Sequence, residues 1–213
     1  MANKAIHEMR ENYESSILLE TSCASNPFIQ FDKWFKDAVE GNSIEPNAMS
    51  LATVGKDGQP SVRIVLLKSY SDDGFVFYTN YNSHKGTQMQ ENEKVALLFW
   101  WQERQVRIEG SVRKNDRESA EAYFHSRPKE SQIGALVSEQ SKVVANRAVL
   151  DTKYEDLLAQ YKTAEVPLPD YWGGYIVTPT FFEFWQGRVS RLHDRIAYKK
   201  ISDGGWTLER LAP

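Results

Sequence analysis

The apolar residues that follow position 26 recur with the period of a helix. Phe28 begins the series, and apolar side chains return at three- and four-residue steps as far as Val39. Asn26 is a residue type that caps helix starts, Pro27 is favoured at the first helical position, and Gly41 is typical of a helix end. The pattern therefore predicts one amphipathic helix near the start of the chain.

From Met49 onward the pattern changes to the two-residue period of β-strands. Turn sequences such as GKDG, SDDG and DGG separate the strand segments. The predicted strands are MSLATV, PSVRIVLLKSY, FVFYT, VALLFWW, RQVRIEGSVR, YIVT, TFFEFWQG, SRLHDRIAYKK and WTLERLA. Short connections and the lack of regular strand–helix alternation favour a closed antiparallel barrel over a parallel α/β sheet.

Helical patterns interrupt the strands at several points. Ser83 and Asp116 are suited to cap two helices, Pro128 suits the start of a third, and an apolar stripe from Leu150 to Tyr161 predicts a longer one. The predicted fold class is mainly β with appended helices, or α+β.

Length and composition are those of an ordinary globular protein. Hydrophobic residues make up 41% and charged residues 26% of 213 residues, and no linker divides the chain. We predict a flexible N-terminal arm over residues 1–26 and a single domain over 27–213. The polar N-terminus has no secretory h-region and the longest apolar run is too short for a bilayer, so the sequence predicts a soluble, cytoplasmic protein.

The charge and the motif inventory narrow the function classes. A net charge of −3 argues against a general nucleic-acid or membrane-surface binder. The single cysteine, Cys23, excludes an intrachain disulfide, and four histidines with one cysteine make a metal site unexpected. The sequence contains neither common nucleotide-binding loop, no H-E-x-x-H and no evident catalytic triad. Any anion site must therefore be a local cluster of cations.

One such cluster lies near the C-terminus. If residues 190–200 form a strand, then Arg191, His193 and Arg195 share one of its faces, across roughly 13 Å. That row would suit an extended anionic ligand. For an isolated R-x-H-x-R, a solvated outer face is the favoured interpretation.

A second cluster is Arg63 and Lys68 in the strand segment VRIVLLK. A cation in an apolar strand is costly unless it is paired or liganded. Five residues apart on a regular strand means opposite faces. The two could serve one site through a bulge, at the end of the strand, or at a seam between subunits.

Two more clusters have the size of a phosphate site. Tyr123, Arg127 and Ser131 follow one another at four-residue steps and would align on one helix, although Pro128 interrupts it. The segment 83–85 places a serine, a histidine and a lysine at a helix start, where anions are favoured. Several cation clusters, many aromatic residues and no evident nucleophile suit an enzyme whose cofactor carries the chemistry.

Longer motifs carry a family resemblance. The segment FEFWQ, followed after four residues by RLHDR, resembles the signature of the pyridoxine (pyridoxamine) 5′-phosphate oxidase family. RIVLLK, VFYTN, ERQVRIEG, YFHSRPKESQIGA, the pair Gln140-Ser141, VPLPDYWGG and ERLAP resemble it as well, in the family's order. The resemblance covers about residues 27–213.

The resemblance implies an antiparallel Greek-key split barrel that forms a homodimer with FMN at the subunit interface. It implies oxidation of pyridoxamine 5′-phosphate or pyridoxine 5′-phosphate to pyridoxal 5′-phosphate. Molecular oxygen would be the acceptor and would give hydrogen peroxide, with ammonia released from the amine. The alternative is a flavin-binding split-barrel protein that is not an oxidase.

The same resemblance implies the site residues. The positions for FMN are Arg63, Ile64, Val65, Leu66, Lys68, Tyr78, Thr79, His84, Lys85, Gln105, Gln140, Ser141, Trp185 and Arg195. The positions for the substrate are Lys68, Tyr123, Arg127 and Ser131 for its phosphate, Arg191 and His193 as catalytic residues over the pyridine ring, and Arg10 and Tyr13 in the arm.

Two positions depart from the family pattern. His84 stands where a second basic residue, usually arginine, is expected beside Lys85. Because histidine is mostly neutral at pH 7 unless a phosphate raises its pKa, we expect weaker or more pH-dependent FMN binding. The arm segment ENYESSILLE also lacks further basic residues of the family's segment.

Overall fold

A computed structural model describes residues 5–9, 13 and 17–213. The strands are β1 Ala48–Val54, β2 Pro60–Leu66, β3 Ser69–Ser71, β4 Gly74–Asn80, β5 Lys94–Trp101, β6 Arg104–Lys114, β7 Trp172–Gln186, β8 Asp194–Lys200 and β9 Trp206–Arg210. The α-helices are α1 Pro27–Glu40, α2 His84–Glu91, α3 Arg117–Ser126, α4 Lys129–Val137 and α5 Arg147–Gln160. Three short 3₁₀ turns lie at Ile6–Glu8, Glu20–Ser22 and Val189–Arg191. Among these described residues, no helix is long and apolar enough to cross a membrane.

The strands form a sheet in the order β2-β1-β5-β6-β7-β4-β3, with β8 paired to β7 and β9 to β8. The pairs β1–β2, β3–β4, β4–β7, β7–β8 and β8–β9 are antiparallel. The predicted antiparallel organisation and the predicted helices are therefore present. The predicted helix caps form as well, since the side chains of Asn26, Ser83 and Asp116 each accept a backbone N–H bond at a helix start.

The described chain divides into two compact units. The terminal unit comprises the described residues up to 46 together with 97–109 and 179–213, and the central unit comprises 47–96 and 110–178. This division does not test the predicted flexible arm over residues 1–26 or the predicted single domain over 27–213, so both stay predictions.

The terminal unit is organised around aromatic side chains. Phe31 of α1 is fully buried and meets Phe99 edge-on at a centroid distance of 5.1 Å. Trp34, one turn later, meets Phe184 of β7 at 5.2 Å. Burying one such side chain contributes about 1.5–3 kcal/mol, so this face of α1 accounts for the helical spacing seen in the sequence.

The central unit has a core of its own beneath its helices. Phe124, Ile133 and Trp172 are buried there, and partly buried side chains of α5, such as Leu150 and Tyr154, pack against them. This core fixes the ends of α3 and α4 relative to the start of β7.

One strand prediction is wrong at its start. The segment expected to run as a strand from Ser190 begins as a strand only at Asp194. Ser190 and Arg191 have φ values of 57° and 61°, in the left-handed region, and lie in a 3₁₀ turn. Arg191, His193 and Arg195 therefore do not form a row on one strand face. Neither serine nor arginine is a residue type from which a left-handed conformation would be predicted.

Candidate active site

The central unit contains an open cavity of about 550 Å³. Its lining holds most of the residues that the sequence predicts for the cofactor phosphate and the substrate phosphate. The lining residues are Arg63, Ile64, Val65, Leu66, Lys68, Tyr78, Thr79, Asn80, Lys85, Tyr123, Arg127, Pro128, Ser131, Gln140 and Trp172.

Arg63 and Lys68 line this cavity together because β2 ends between them. The strand stops at Leu66, and Lys68 lies in the connection to β3, where strand alternation no longer applies. Of the three arrangements left open by the sequence, the strand end is the one that the structure contains.

Arg63 and Lys85 are held by neutral oxygens. Arg63 Nη1 donates to Thr53 Oγ1 at 2.6 Å, and Lys85 Nζ donates to Gln140 Oε1 at 2.7 Å and to Thr79 Oγ1 at 3.2 Å. Burial lowers the pKa of Arg63. Burial, followed by the nearby charge of Arg63, lowers the pKa of Lys85 to about 8. Two cations that repel each other in a partly dry site are suited to bind an anion.

Arg127 is the clearest unsatisfied group of the cavity. Its Nη2 donates to the Ser131 carbonyl oxygen at 2.7 Å, whereas its Nη1 is buried with no hydrogen-bond partner in the described part of the chain. Burial also lowers the pKa of this guanidinium. A buried donor without a partner is costly, and a planar guanidinium matches phosphate oxygens well. The part of the cavity around Arg127 therefore fits a phosphate ester.

The helix break noted in the sequence orients this group. α3 ends at Ser126, and Arg127 takes an extended conformation with ψ of 151° before Pro128. Tyr123, Arg127 and Ser131 nevertheless line one cavity. The break thus brings the three side chains together by a turn rather than along one helix.

None of the described residues that line the cavity is an aspartate or a glutamate. Lys68 instead lies 5.8 Å from the centroid of the Tyr123 ring. Four cations in a concave site without carboxylates create a strongly positive local potential, although the chain as a whole carries a charge of −3.

Two residues predicted for FMN lie beside this cavity in sequence but do not line it. His84 is exposed at the first position of α2, and Ser141 is exposed with a φ of 75° directly after Gln140. Sequence reasoning in turn missed Asn80, Pro128 and Trp172. Asn80 and Pro128 directly follow the predicted residues Thr79 and Arg127, and Trp172 lies in the motif VPLPDYWGG.

A second group of predicted residues lies in the terminal unit around His193. The His193 ring is 4.5 Å from that of Trp185, and Tyr13 meets both rings edge-on at 5.9 Å. Arg191 is exposed on the adjoining turn. Arg10 lies outside the described residues.

The hydrogen bonds of His193 define its neutral tautomer. The backbone N–H of Arg188 donates to His193 Nδ1 at 3.1 Å, so Nε2 carries the proton of the neutral ring. Burial, followed by the charge of Arg191, lowers the pKa of His193. The ring is therefore a neutral Nε2–H donor at pH 7.

Arg195 and Gln105 complete the predicted set, both in the terminal unit. Arg195 is the cross-strand partner of Trp185, and its Nε donates to Glu183 Oε1 at 2.7 Å. Arg107 donates to the other oxygen of the same carboxylate at 2.6 Å. Gln105 is half-buried on β6.

Comparison with known proteins places the chain in a family. Residues 35–161 match the model of the pyridoxamine 5′-phosphate oxidase family, and residues 172–213 match the C-terminal dimerisation region of pyridoxine 5′-phosphate oxidase. The chain is 50% identical over 99% of its length to a pyridoxine/pyridoxamine 5′-phosphate oxidase from Gloeothece citriformis, of which it covers 100%. It is 53% identical over 98% of its length to one from Bordetella petrii, again covering 100%.

Solved structures show the same fold. PhzG from Burkholderia lata, solved in complex with tetrahydrophenazine-1-carboxylic acid, is 27% identical with a TM-score of 0.87, over 92% of this chain and 98% of that one. A pyridoxamine 5′-phosphate oxidase-related, FMN-binding protein from Nostoc punctiforme is 14% identical with a TM-score of 0.72, over 89% of this chain and 100% of that one. The predicted split-barrel fold is confirmed.

The dimerisation region at the C-terminus supports the predicted homodimer. The family match and the FMN-binding relative of the same fold agree with FMN as the cofactor. The chain belongs to the pyridoxamine 5′-phosphate oxidase family and is an oxidoreductase.

Proposed function

We propose that this protein oxidises pyridoxamine 5′-phosphate or pyridoxine 5′-phosphate to pyridoxal 5′-phosphate. Molecular oxygen is the final electron acceptor and yields hydrogen peroxide. With the amine substrate, water supplies the aldehyde oxygen and ammonia is released. The observation that carries the proposal is the phosphate-sized cradle around Arg127, in which a buried guanidinium nitrogen lacks a partner among the described residues. The proposal includes the cytoplasmic location predicted from the sequence.

FMN, when bound, supplies the two-electron acceptor of this reaction. We assign its phosphate and ribityl contacts to the cations and amides at the Arg63–Lys85 end of the cavity. The residues assigned to FMN are Arg63, Ile64, Val65, Leu66, Lys68, Tyr78, Thr79, His84, Lys85, Gln105, Gln140, Ser141, Trp185 and Arg195. The proposed assembly is a homodimer with FMN at the subunit interface.

The substrate's phosphate is assigned to Lys68, Tyr123, Arg127 and Ser131. These side chains present a phenol, a hydroxyl and two cations to one cavity, which is the donor set that a phosphate dianion requires. The phosphate cradle, as we name these four residues, orients the substrate by its charged end.

Arg191 and His193 are assigned to the pyridine ring. A neutral His193 donates from Nε2 while Arg191 contributes a fixed positive charge. Their role is to orient the substrate and stabilise developing charge, with Tyr13 packed against the His193 ring. Arg10 is assigned to the same end of the substrate on the resemblance alone.

Absorbance of the flavin tests the whole proposal. The protein is loaded with FMN, freed of oxygen, and mixed with pyridoxine 5′-phosphate or pyridoxamine 5′-phosphate. We expect bleaching of the visible flavin bands, recovery when air is admitted, and formation of pyridoxal 5′-phosphate. Flavin that binds but does not bleach with either substrate would remove the proposed substrates and leave the flavin-binding alternative.

Arg191→Ala tests the division of roles within the site. We expect turnover to fall about 10²-fold, because a fixed charge near the reacting ring is lost, while FMN affinity changes little. Steady-state kinetics and a fluorescence titration of FMN measure the two effects. Equal losses in turnover and in FMN affinity would contradict the assignment.

A further inference from the structure

Trp172 lines the cavity and has no role in the assignments above. It is the first residue of β7, it is only 7% exposed, and its side chain lines the cavity together with Arg127 and Tyr123. The indole therefore belongs both to the core of the central unit and to the wall of the binding site.

The indole face carries two members of the phosphate cradle. The guanidinium carbon of Arg127 lies 4.9 Å from the indole centroid. The Tyr123 ring is parallel to the indole within 12° at 6.2 Å, and the Tyr78 ring is parallel within 11° at 5.5 Å. The Tyr123 ring itself stacks on Tyr78 at 4.1 Å. The indole therefore supports the Arg127 guanidinium directly, and the two tyrosine rings form a parallel stack beside it.

The backbone of Trp172 is itself firmly held. The Arg117 guanidinium donates to the carbonyl oxygens of Trp172 at 2.8 Å, Leu168 at 2.9 Å and Pro169 at 3.1 Å. A Cβ at Gly174 would lie 2.9 Å from the Tyr78 ring, so glycine is needed there for that ring to approach the strand. The loop thus anchors the backbone from which the indole projects, and the glycine lets the Tyr78 ring pack close to β7.

Arg127 depends on such a support more than an ion-paired arginine would. The described residues give it no carboxylate partner, and its side-chain hydrogen bond to the Ser131 carbonyl oxygen uses a single nitrogen, Nη2. A guanidinium on an aromatic face keeps its edge free for a bidentate ligand.

From this geometry we infer that Trp172 is a positioning residue for the substrate's phosphate. Its indole face holds the Arg127 guanidinium in the orientation that accepts a phosphate, beside the stacked rings of Tyr123 and Tyr78. The inference rests on the proposed function, since the phosphate cradle is the group that Trp172 serves.

Ile133 offers a matched control for loss of core packing. It is fully buried in the same hydrophobic cluster but does not line the cavity. Ile133→Ala therefore tests what a packing defect beneath the site does when the support of Arg127 is intact.

The experiment compares Trp172→Leu, Trp172→Phe and Ile133→Ala as FMN-loaded proteins. For each we measure kcat and KM with pyridoxamine 5′-phosphate, the inhibition constant of inorganic phosphate, FMN affinity and thermal stability. Trp172→Leu should raise both KM and the inhibition constant about 10-fold or more, with smaller changes in kcat and in FMN affinity. Trp172→Phe keeps an aromatic face and should recover most of the loss. Ile133→Ala should lower thermal stability and leave both constants near those of the unaltered protein.

Three results would overturn the inference. The first is an unchanged KM and phosphate inhibition in Trp172→Leu or, if that variant does not fold, in Trp172→Met, which also lacks an aromatic ring. The second is an equal rise of both constants in Ile133→Ala, because Trp172 would then act through packing alone. The third is an unaltered protein that is insensitive to inorganic phosphate and oxidises pyridoxamine as well as its phosphate ester. That third result would remove the phosphate cradle, and with it the proposed function, independently of any Trp172 variant.

Discussion

The cations of the central-unit cavity and those of the terminal unit have opposite kinds of partners. In the cavity, Arg63 and Lys85 donate to hydroxyl, amide and carbonyl oxygens, and Arg127 to a carbonyl. In the terminal unit, Arg195 shares the buried carboxylate of Glu183 with a second arginine.

The pKa shifts follow this division. Burial lowers the pKa of Arg63, Lys85 and Arg127, because the described surroundings offer no carboxylate to offset the loss of water. The hydrogen bond that Arg195 donates to Glu183 raises the pKa of Arg195, and the hydrogen bonding of Arg210 to Glu20 is the largest cause of the raised pKa of Arg210. A bound anion would therefore stabilise the charged forms of the cavity cations. The arginines of the terminal unit already have carboxylate partners that do so.

The comparison explains how an acidic protein can hold a strongly anionic ligand. The net charge of −3 arises from carboxylates that are distributed unevenly, and none is among the described residues that line the cavity. Local partners, rather than the sum over the chain, therefore decide where an anion binds.

Removing the least satisfied cation of the cavity should have the largest effect. Arg127→Met deletes a buried guanidinium that we assign to the substrate's phosphate. We expect kcat/KM for pyridoxamine 5′-phosphate to fall about 10²–10³-fold, the usual loss for a buried charge-assisted contact. Steady-state oxygen consumption measures the change.

Arg113→Met is the matched control, because Arg113 is an exposed arginine of the same unit. It should leave kcat/KM nearly unchanged. If Arg127→Met lowered the rate with unphosphorylated pyridoxamine as strongly as with the phosphate ester, Arg127 would not be a phosphate ligand.

Breaking a paired group of the terminal unit should instead affect folding. Glu183→Gln leaves Arg107 and Arg195 without their shared charge, and the Glu183 side chain is only 3% exposed. We expect the free energy of unfolding to fall by about 2–3 kcal/mol, less than for a fully buried pair because both arginines are partly exposed. Urea unfolding measures it.

Glu209→Gln provides the comparison, since Glu209 pairs with Lys199 at an exposed site and should cost under about 1 kcal/mol. Burial alone would raise the pKa of Glu183, but its bonds to Arg195 and Arg107 outweigh burial and lower it. The stabilisation is therefore present above the unfolded-state pKa and is lost as the pH falls through the folded-state pKa. Equal losses in the two variants would show that Glu183 has no special role.

Sequence patterns predicted the elements of this fold well where local chemistry decides them. The caps Asn26, Ser83 and Asp116 and the period-two strands depend on neighbouring residues alone. The turn at Ser190 and Arg191 could not be predicted, because both residues have left-handed backbone conformations that neither residue type favours.

The candidate site shows the same limit. The end of β2, which brings Arg63 and Lys68 to one cavity, is a matter of strand length that alternation cannot reveal. Trp172 was missed because a tryptophan in this segment is expected to be a core residue. Its contact with the Arg127 guanidinium is visible only in the structure. Family resemblance supplied residue roles that no spacing could have supplied.

The pH dependence of FMN binding should show the smallest of the expected effects, and it tests whether the cations of the cavity bind an anion. Lys85 has a pKa lowered to about 8, so the protein without FMN loses this cation as the pH rises through 8. A bound phosphate favours the charged amine, and the dissociation constant of FMN should therefore rise at most tenfold per pH unit above pH 8. Fluorescence titrations from pH 6 to pH 9.5 measure it.

Two variants separate Lys85 from the histidine beside it. Lys85→Arg keeps its charge over this range and should flatten the dependence above pH 8, whereas His84→Asn should leave it intact. The prediction that His84 makes FMN binding pH-dependent requires instead that the dissociation constant of FMN change between pH 6 and pH 8. Because the His84 side chain is exposed and outside the cavity lining, we expect that lower step to be the smaller one. A dependence confined to pH 6–8 and abolished in His84→Asn would show that the exposed residue, and not the buried cation, controls FMN affinity.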